Sequence, residues 1–341
     1  MRRPRTNRCA LAAVVCAVWC SATAAQARTD PLPSWNDGPA KEAIVEFVRT
    51  TTDASSPQFV STEKRIATFD QDGTLWVEKP TVSQLAYCLD RVSAAAEKKP
   101  ELKNVEPFKT VLSGDRAAIA RLSIPDLQKI LVATLTGVTT DQYQAEVKQW
   151  LATARDPRWK KPYTELTYQP MQEVLKYLRA NGYKTYIVSG GGQDFIRVYA
   201  EQTYGIPPEQ VVGTMGGTRY GYDKDGKPIL TRVPKLLLND VDAGKPEGIQ
   251  LMIGRRPCAA FGNSTGDRQM LEYTKAGAGS RLAMLVLHDD ATREYAYGPA
   301  LGLPDTKEGT FTQALYDRAK KNGWTVVSMK NDWKRIFAFE Q

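Results

Sequence analysis

Two aspartates two residues apart, Asp70 and Asp72, stand in Phe69-Asp70-Gln71-Asp72-Gly73-Thr74-Leu75-Trp76, directly after the apolar run Ile66-Ala67-Thr68. The run reads as a strand, and residues i and i+2 at its end would face one side. A carboxylate pair of this kind can divide labour, one attacking and the other moving protons. Facing a phosphate ester, Asp70 would attack phosphorus and form an aspartyl-phosphate. Asp72 would protonate the leaving alcohol and then activate the water that breaks the intermediate. An all-carboxylate site of this type also needs a cation to hold the charge of its substrate.

Three more polar loops could join this pair. In Ser189-Gly190-Gly191-Gly192 the Ser189 hydroxyl and the backbone N–H groups from Gly190 onward, at the start of the next helix, make an anion cradle. Lys245, in Gly244-Lys245-Pro246-Glu247, sits at a helix start. A positive charge there opposes the helix dipole by about 0.3–1 kcal/mol, which a negative partner would offset. In Phe261-Gly262-Asn263-Ser264-Thr265-Gly266-Asp267, Asn263 and Asp267 bracket a Gly-rich turn, and both can offer oxygen to a hard cation. Mg2+ suits a site with few carboxylates, retained waters and phosphate oxygens.

The elements that must position these loops alternate. A helix is expected over 39–50, then the strand 66–69. From about 80 to 168 the apolar residues fall at helical spacing, as in Val82, Leu85, Ala86 and Leu89, and Ser123-Ile124-Pro125-Asp126 reads as a capped helix start. This stretch reads as an all-helical insert, closed by the linker 155–162. Beyond it come a helix opened by Pro170, a strand Tyr183–Val188, a helix through Phe195, Val198 and Tyr199, and a hairpin over 218–231 turning at Asp223-Lys224-Asp225-Gly226. A helix from Lys245, a strand Cys258–Phe261, a helix after Asp267, a strand Leu282–Leu287, a helix near 311–321 and a short strand Thr325–Val327 complete the series. Strands alternating with helices predict an α/β fold, a mostly parallel sheet covered on both faces. In such sheets ligands bind at the C-terminal ends of the strands, the edge that carries these loops.

Residues 1–27 are expected to be a signal peptide. Arg2, Arg3, Arg5 and Arg8 precede an apolar stretch of about a dozen residues, and Ala25-Gln26-Ala27 gives a small-x-small cleavage site. The stretch is too short for a permanent anchor, which needs about 20 residues. The expected location is therefore periplasmic or secreted, with no stable membrane anchor. Removing the segment takes away four arginines and halves the formal charge of +8 over 341 residues. The remaining balance argues against nucleic acid and modestly favours small anions. Three of the five cysteines lie in the signal segment, and Cys88 and Cys258 read as separate buried thiols. The one histidine, His288, rules out a three-histidine zinc site and reads as a surface or hydrogen-bonded residue at a strand end. Trp76, Tyr143, Trp150 and Trp159 could line a pocket, but aromatic residues at this spacing usually form core. The sequence sets no oligomeric state.

The ordered set Asp70-Gln71-Asp72-Gly73-Thr74, Ser189-Gly190-Gly191, Lys245 and Gly262-Asn263-Ser264-Thr265-Gly266-Asp267 resembles the haloacid dehalogenase superfamily, and within it the phosphoserine-phosphatase-like branch. The resemblance spans about residues 66–270 and implies a Mg2+-dependent hydrolase. The implied fold is a Rossmann-like three-layer core, residues 28–79 and 169–341, with a helical cap at 80–168. Carried over by position, Asp70 is nucleophile and Mg2+ ligand, and Asp72 is acid/base with its backbone carbonyl on the metal. Ser189 and Gly190 bind phosphate, Lys245 neutralises it, and Asn263 and Asp267 hold the cation. Asparagine at 263 departs from the usual aspartate and removes one negative charge. Asp72 argues against carbon–halogen chemistry, because the dehalogenases lack an aspartate there. The expected function is an exported phosphomonoesterase acting on a small organic phosphate. A phosphotransferase on the same fold, or a non-catalytic phosphate-ligand binding protein, stands as the alternative.

Overall fold

The computed structural model describes residues 30–306 and 309–340, so the expected signal segment lies outside the described residues. Along the chain run α1 (Pro39–Thr52), β1 (Ile66–Phe69), α2 (Ser83–Lys98), α3 (Phe108–Leu112), α4 (Arg116–Ala120), α5 (Ile124–Leu135), α6 (Thr140–Thr153), α7 (Gln169–Ala180), β2 (Lys184–Gly192), α8 (Gln193–Arg197), α9 (Ala200–Tyr204), β3 (Val211–Tyr222), β4 (Pro228–Leu238), α10 (Gly244–Met252), β5 (Ala259–Gly262), α11 (Arg268–Lys275), β6 (Leu282–Leu287), α12 (Gln313–Lys321), β7 (Thr325–Ser328) and α13 (Met329–Asp332).

Every residue of β1, β5 and β6 is buried. Such unbroken apolar strands belong to a sheet covered on both faces. The sheet has seven strands in the order β4-β3-β2-β1-β5-β6-β7. All neighbours are parallel except the β3–β4 hairpin. The pleat sends alternate residues to opposite layers. Met284 and Val286 of β6 join the apolar cluster that holds α1 and α7, while Leu285 and Leu287 join Ile249, Met270 and Leu315 from α10, α11 and α12. Phe69 and Phe261, in register on β1 and β5, stack at 4.4 Å. This is the expected mostly parallel α/β fold. Its strand order reverses at β1, so the crevice at the C-terminal ends opens between β1 and β5.

Two local expectations change. The segment Ser189–Gly192 is not a loop but the continuation of β2, irregular in its pairing with β3. Gly213 permits this, since a Cβ there would stand 2.8 Å from the Gly191 carbonyl oxygen. The helix expected through Phe195 and Tyr199 is broken into α8 and α9.

Helices α2–α6 occupy the stretch between β1 and α7. Ser123 caps α5 as expected, and Asp126 completes a capping box with it. Tyr87, Ile130, Tyr143 and Val147 share one apolar cluster with Phe195 and Tyr199, so the insert and the sheet layer are packed together. The cluster also takes in the aromatic residues: Trp76, Tyr143 and Trp150 are buried core and Trp159 packs against it.

Arg232 of β4 fastens the insert. Its backbone N–H donates to the Val138 carbonyl and its carbonyl accepts from the Gly137 N–H, each at 2.9 Å. Its guanidinium donates to the Leu135 carbonyl at 2.7 Å, pairs with Asp194 of α8 and covers the Tyr143 ring at 4.2 Å. Truncating Arg232 to alanine leaves the Leu135 carbonyl and Asp194 without that donor. We expect Arg232→Ala to lower the unfolding free energy by about 2–3 kcal/mol in urea titrations. A loss under about 0.5 kcal/mol would show that the fastening contributes little.

Candidate active site

Lys245 stands in the first turn of α10, where the chain must double back tightly. A Cβ on Gly244 would stand 1.8 Å from the Asn239 carbonyl oxygen, and one on Gly248 would stand 2.4 Å from Asp240 Oδ1. Only glycine fits at 244, against backbone, and at 248 any side chain would have to displace Asp240. The helix start therefore lies hard against the strand ends, and its lysine reaches into the crevice. Nζ donates to Asp70 Oδ1 at 2.7 Å, to Asp267 Oδ1 at 2.6 Å and to the Val188 carbonyl at 2.9 Å. All three ammonium protons are thus engaged. Lys245 is 3 % exposed. Burial works against its charge, but Asp267, Asp70 and Asp240 outweigh that and hold it above the ordinary lysine range.

Asp70 directly follows β1, and its N–H donates to the Phe261 carbonyl on β5 at 2.9 Å. Burial, then the neighbouring Asp267 carboxylate, push Asp70 well above the usual carboxylate range against the pull of Lys245. Because β1 ends at Phe69, Asp70 and Asp72 are not successive same-side strand residues as the spacing predicted. A turn brings them to one cavity. Gly73 has φ +74, and a Cβ there would strike Asn263 Nδ2 at 2.1 Å. Asp72 Oδ1 accepts from the Trp76 indole N–H at 2.7 Å.

The last motif is a capping box. Asp267 Oδ2 accepts from the N–H groups of Asn263 and Ser264 at 2.9 and 3.0 Å. Both of its oxygens are thus engaged, one by Lys245 and one by the turn. Asn263 Oδ1 accepts from the Thr74 hydroxyl at 3.2 Å, and Nδ2 donates to Glu78 Oε1 at 2.7 Å. Ser189, on β2, is buried, and its Oγ accepts from the Gly191 N–H at 3.1 Å.

All these residues line one cavity of ≈ 560 Å3: Asp70, Asp72, Ser189, Gly190, Lys245, Asn263 and Asp267, every sequence-predicted site residue. Glu78 lines it too, and the residue patterns gave no sign of that. Its Oε1 also accepts from the Tyr297 hydroxyl at 2.6 Å, and burial raises its carboxyl. His288 was expected at a strand end and is buried there. Its Nε2 lies 2.8 Å from the Gly73 carbonyl and its Nδ1 lies 3.1 Å from Glu294 Oε2, so it braces the Asp72–Gly73 turn from behind. Trp76 and His288 carry no local signal for these contacts, because each partner is set by the turn geometry. Cys88 and Cys258 are free and buried, as expected.

The donor set can be tested against a metal. Among the described lining residues, Asp70, Asp72, Glu78 and Asp267 face a single ammonium, Lys245. A phosphate ester would add more negative charge to that set. No three His, Cys, Asp or Glu side chains among the described residues already form a metal-binding group. An ion held by few carboxylates plus water and phosphate oxygens matches Mg2+, and the residues fit it.

Residues 67–272 match the model of the haloacid dehalogenase-like hydrolase family. The chain belongs to this family. No curated protein matches it. Among solved structures, a protein of unknown function from Bordetella pertussis Tohama I is similar at 16 % identity and TM-score 0.47, over 77 % of this chain and 98 % of that one. A conserved protein of unknown function from Anaerococcus prevotii has 16 % identity and TM-score 0.47, over 74 % and 86 %. A phosphoserine phosphohydrolase-like protein from Francisella tularensis has 17 % identity and TM-score 0.37, over 66 % and 88 %.

One member of this haloacid dehalogenase-like site stands behind Lys245. Asp240 is fully buried and neither carboxylate oxygen makes a full hydrogen bond, although the Ser189 N–H and the Lys245 ammonium face it. Burial moves its pKa up to about 7 despite Lys245. The folded state therefore holds the Asp240 proton more tightly than the unfolded chain does. That difference favours folding at low pH and is lost as pH rises from about 4 to about 7. Asp240→Asn is expected to match the wild-type melting temperature near pH 4 and to exceed it at pH 8. Equal melting temperatures at both pH values would contradict this account.

Proposed function

We propose that this hydrolase is an exported, Mg2+-dependent phosphomonoesterase that works through an aspartyl-phosphate on Asp70. The observation that carries this reading is the Lys245 ammonium bridging Asp70 and Asp267 inside a cavity also lined by Asp72 and Ser189. Lys245 holds Asp70 Oδ1, and the other carboxylate oxygen attacks phosphorus. The new bond joins phosphorus to Asp70, the bond to the ester oxygen breaks, and Asp72 delivers its proton to the leaving alcohol. Asp72 then takes a proton from water, which attacks the same phosphorus and frees Asp70 and inorganic phosphate. The Ser189 hydroxyl and Gly190 backbone receive the phosphoryl oxygens, and Lys245 offsets their charge. Asp70 and the Asp72 carbonyl, with Asn263 and Asp267 beside them, are the oxygen groups that would hold Mg2+, which supplies charge neutralisation to the phosphoryl group. Export rests on the N-terminal sequence pattern.

The direct test is hydrolysis of p-nitrophenyl phosphate with and without Mg2+. Wild-type protein should release phosphate only with the metal, and Asp70→Asn should lose at least about 1,000-fold in kcat. Equal rates in the two proteins would remove Asp70 from the mechanism.

The hydrogen bond from Trp76 has its own consequence. It fixes Asp72 Oδ1, while Oδ2 lies on the side of Gly191, 3.8 Å from where a Cβ of that cavity-lining residue would stand. Trp76 is thus a positioning residue that aims the proton-bearing oxygen. Trp76→Phe should retain the stack on Tyr199, whose centroid lies 4.7 Å away. Its kcat/KM should fall at least about 10-fold for an alkyl phosphate, whose alkoxide needs protonation, and far less for p-nitrophenyl phosphate. A uniform loss on both substrates would mean that Trp76 acts through packing alone.

A further inference from the structure

The far wall of the catalytic cavity comes from the helical insert. Leu85 of α2 and Leu127 and Leu131 of α5 line it, joined by Val82 and Val241. The insert adds two amides, Gln84 and Gln128. Gln84 Oε1 accepts from the Gly192 N–H at 2.7 Å, so that amide also ties the insert to the end of β2. Glu78 also lines the cavity, and a carboxylate there has the wrong sign to receive an anion. Lys245 is the one cation among the described lining residues, and its protons are taken by Asp70, Asp267 and Val188. The volume, ≈ 560 Å3, is that of a small-molecule site and exceeds what a phosphate needs.

We propose that the substrate's ester group is a bulky, uncharged and largely apolar alcohol or phenol, seated against Leu85, Leu127 and Leu131, and that phosphate is its sole anionic group. The inference rests on the phosphomonoesterase reading and specifies its substrate class. A carboxylate or second phosphate on the leaving group would lose water against leucine and valine side chains, with no cation but the engaged Lys245 among the described lining residues to pair it. Unpaired charge in such a place is strongly disfavoured. An alkyl or aryl group in the same place removes apolar surface from water.

The test is a homologous series of n-alkyl phosphates from ethyl to hexyl, with phosphoserine and phosphoglycolate as anionic counterparts. The value of kcat/KM should rise about threefold to fourfold per methylene, and both hydroxy-acid phosphates should lie at least about 30-fold below butyl phosphate. Leu127→Ser and Leu131→Ser, each at a half-buried position, should flatten the chain-length slope. Leu131→Arg should raise phosphoserine relative to butyl phosphate. A flat series, or phosphoserine preferred over butyl phosphate, would overturn the proposal. Calorimetric binding of the matching alkyl phosphonates reads the same slope without turnover. Binding that strengthens along the series with no hydrolysis of any ester would keep the pocket assignment and discard the phosphomonoesterase reading.

Discussion

One ammonium group organises this end of the molecule. Lys245 brings together a carboxylate after β1, a carboxylate after β5 and a carbonyl of β2, and so ties three adjacent parallel strands to the start of α10. Two like charges could not stand so close in a buried place without it, because each would repel the other and both would lack water. The same geometry leaves an excess of carboxylate over cation among the described residues that line the cavity.

That convergence depends on backbones approaching closely. Gly73, Gly244, Gly248 and Gly262 each stand where a Cβ would strike a neighbour within 2.5 Å. Those neighbours are Asn263, the Asn239 carbonyl, Asp240 and Asp267, all at the strand ends. Glycine in this chain therefore does more than relax a turn. It lets the loops of β1 and β5 and the first turn of α10 occupy one small volume, with His288 and Trp76 fixing the turn that carries Asp72.

The two ends of the cavity differ in kind. The sheet rim offers charge, hydroxyl and backbone dipoles, and the insert offers leucine, valine and amide surface. The polar groups thus come from the sheet rim, and the apolar wall comes from helices held by Arg232 and Gln84. A family assignment describes the first and is silent on the second, since residues of the insert need share nothing with relatives beyond helical spacing.

Much of this was legible in the sequence. Apolar runs such as Leu282–Leu287 and helical stripes such as Met171, Val174, Leu175 and Leu178 report local periodicity, and they predicted the α/β alternation and most elements within a few residues. Asp70, Asp72, Ser189, Lys245, Asn263 and Asp267 were legible because each sits in a short motif whose chemistry depends on residue type. The continuation of β2 through Ser189–Gly192 was not, because it depends on Gly213 of a strand still to come. Nor could Glu78, Trp76, His288 and Asp240 be assigned to the site. A carboxylate, an indole and an imidazole have no local signature until long-range packing gives them a partner, and those partners lie as far as 219 residues away. Local physics determined which segments fold and which residue types could react; the sheet order and the close approaches of glycine decided which of them meet.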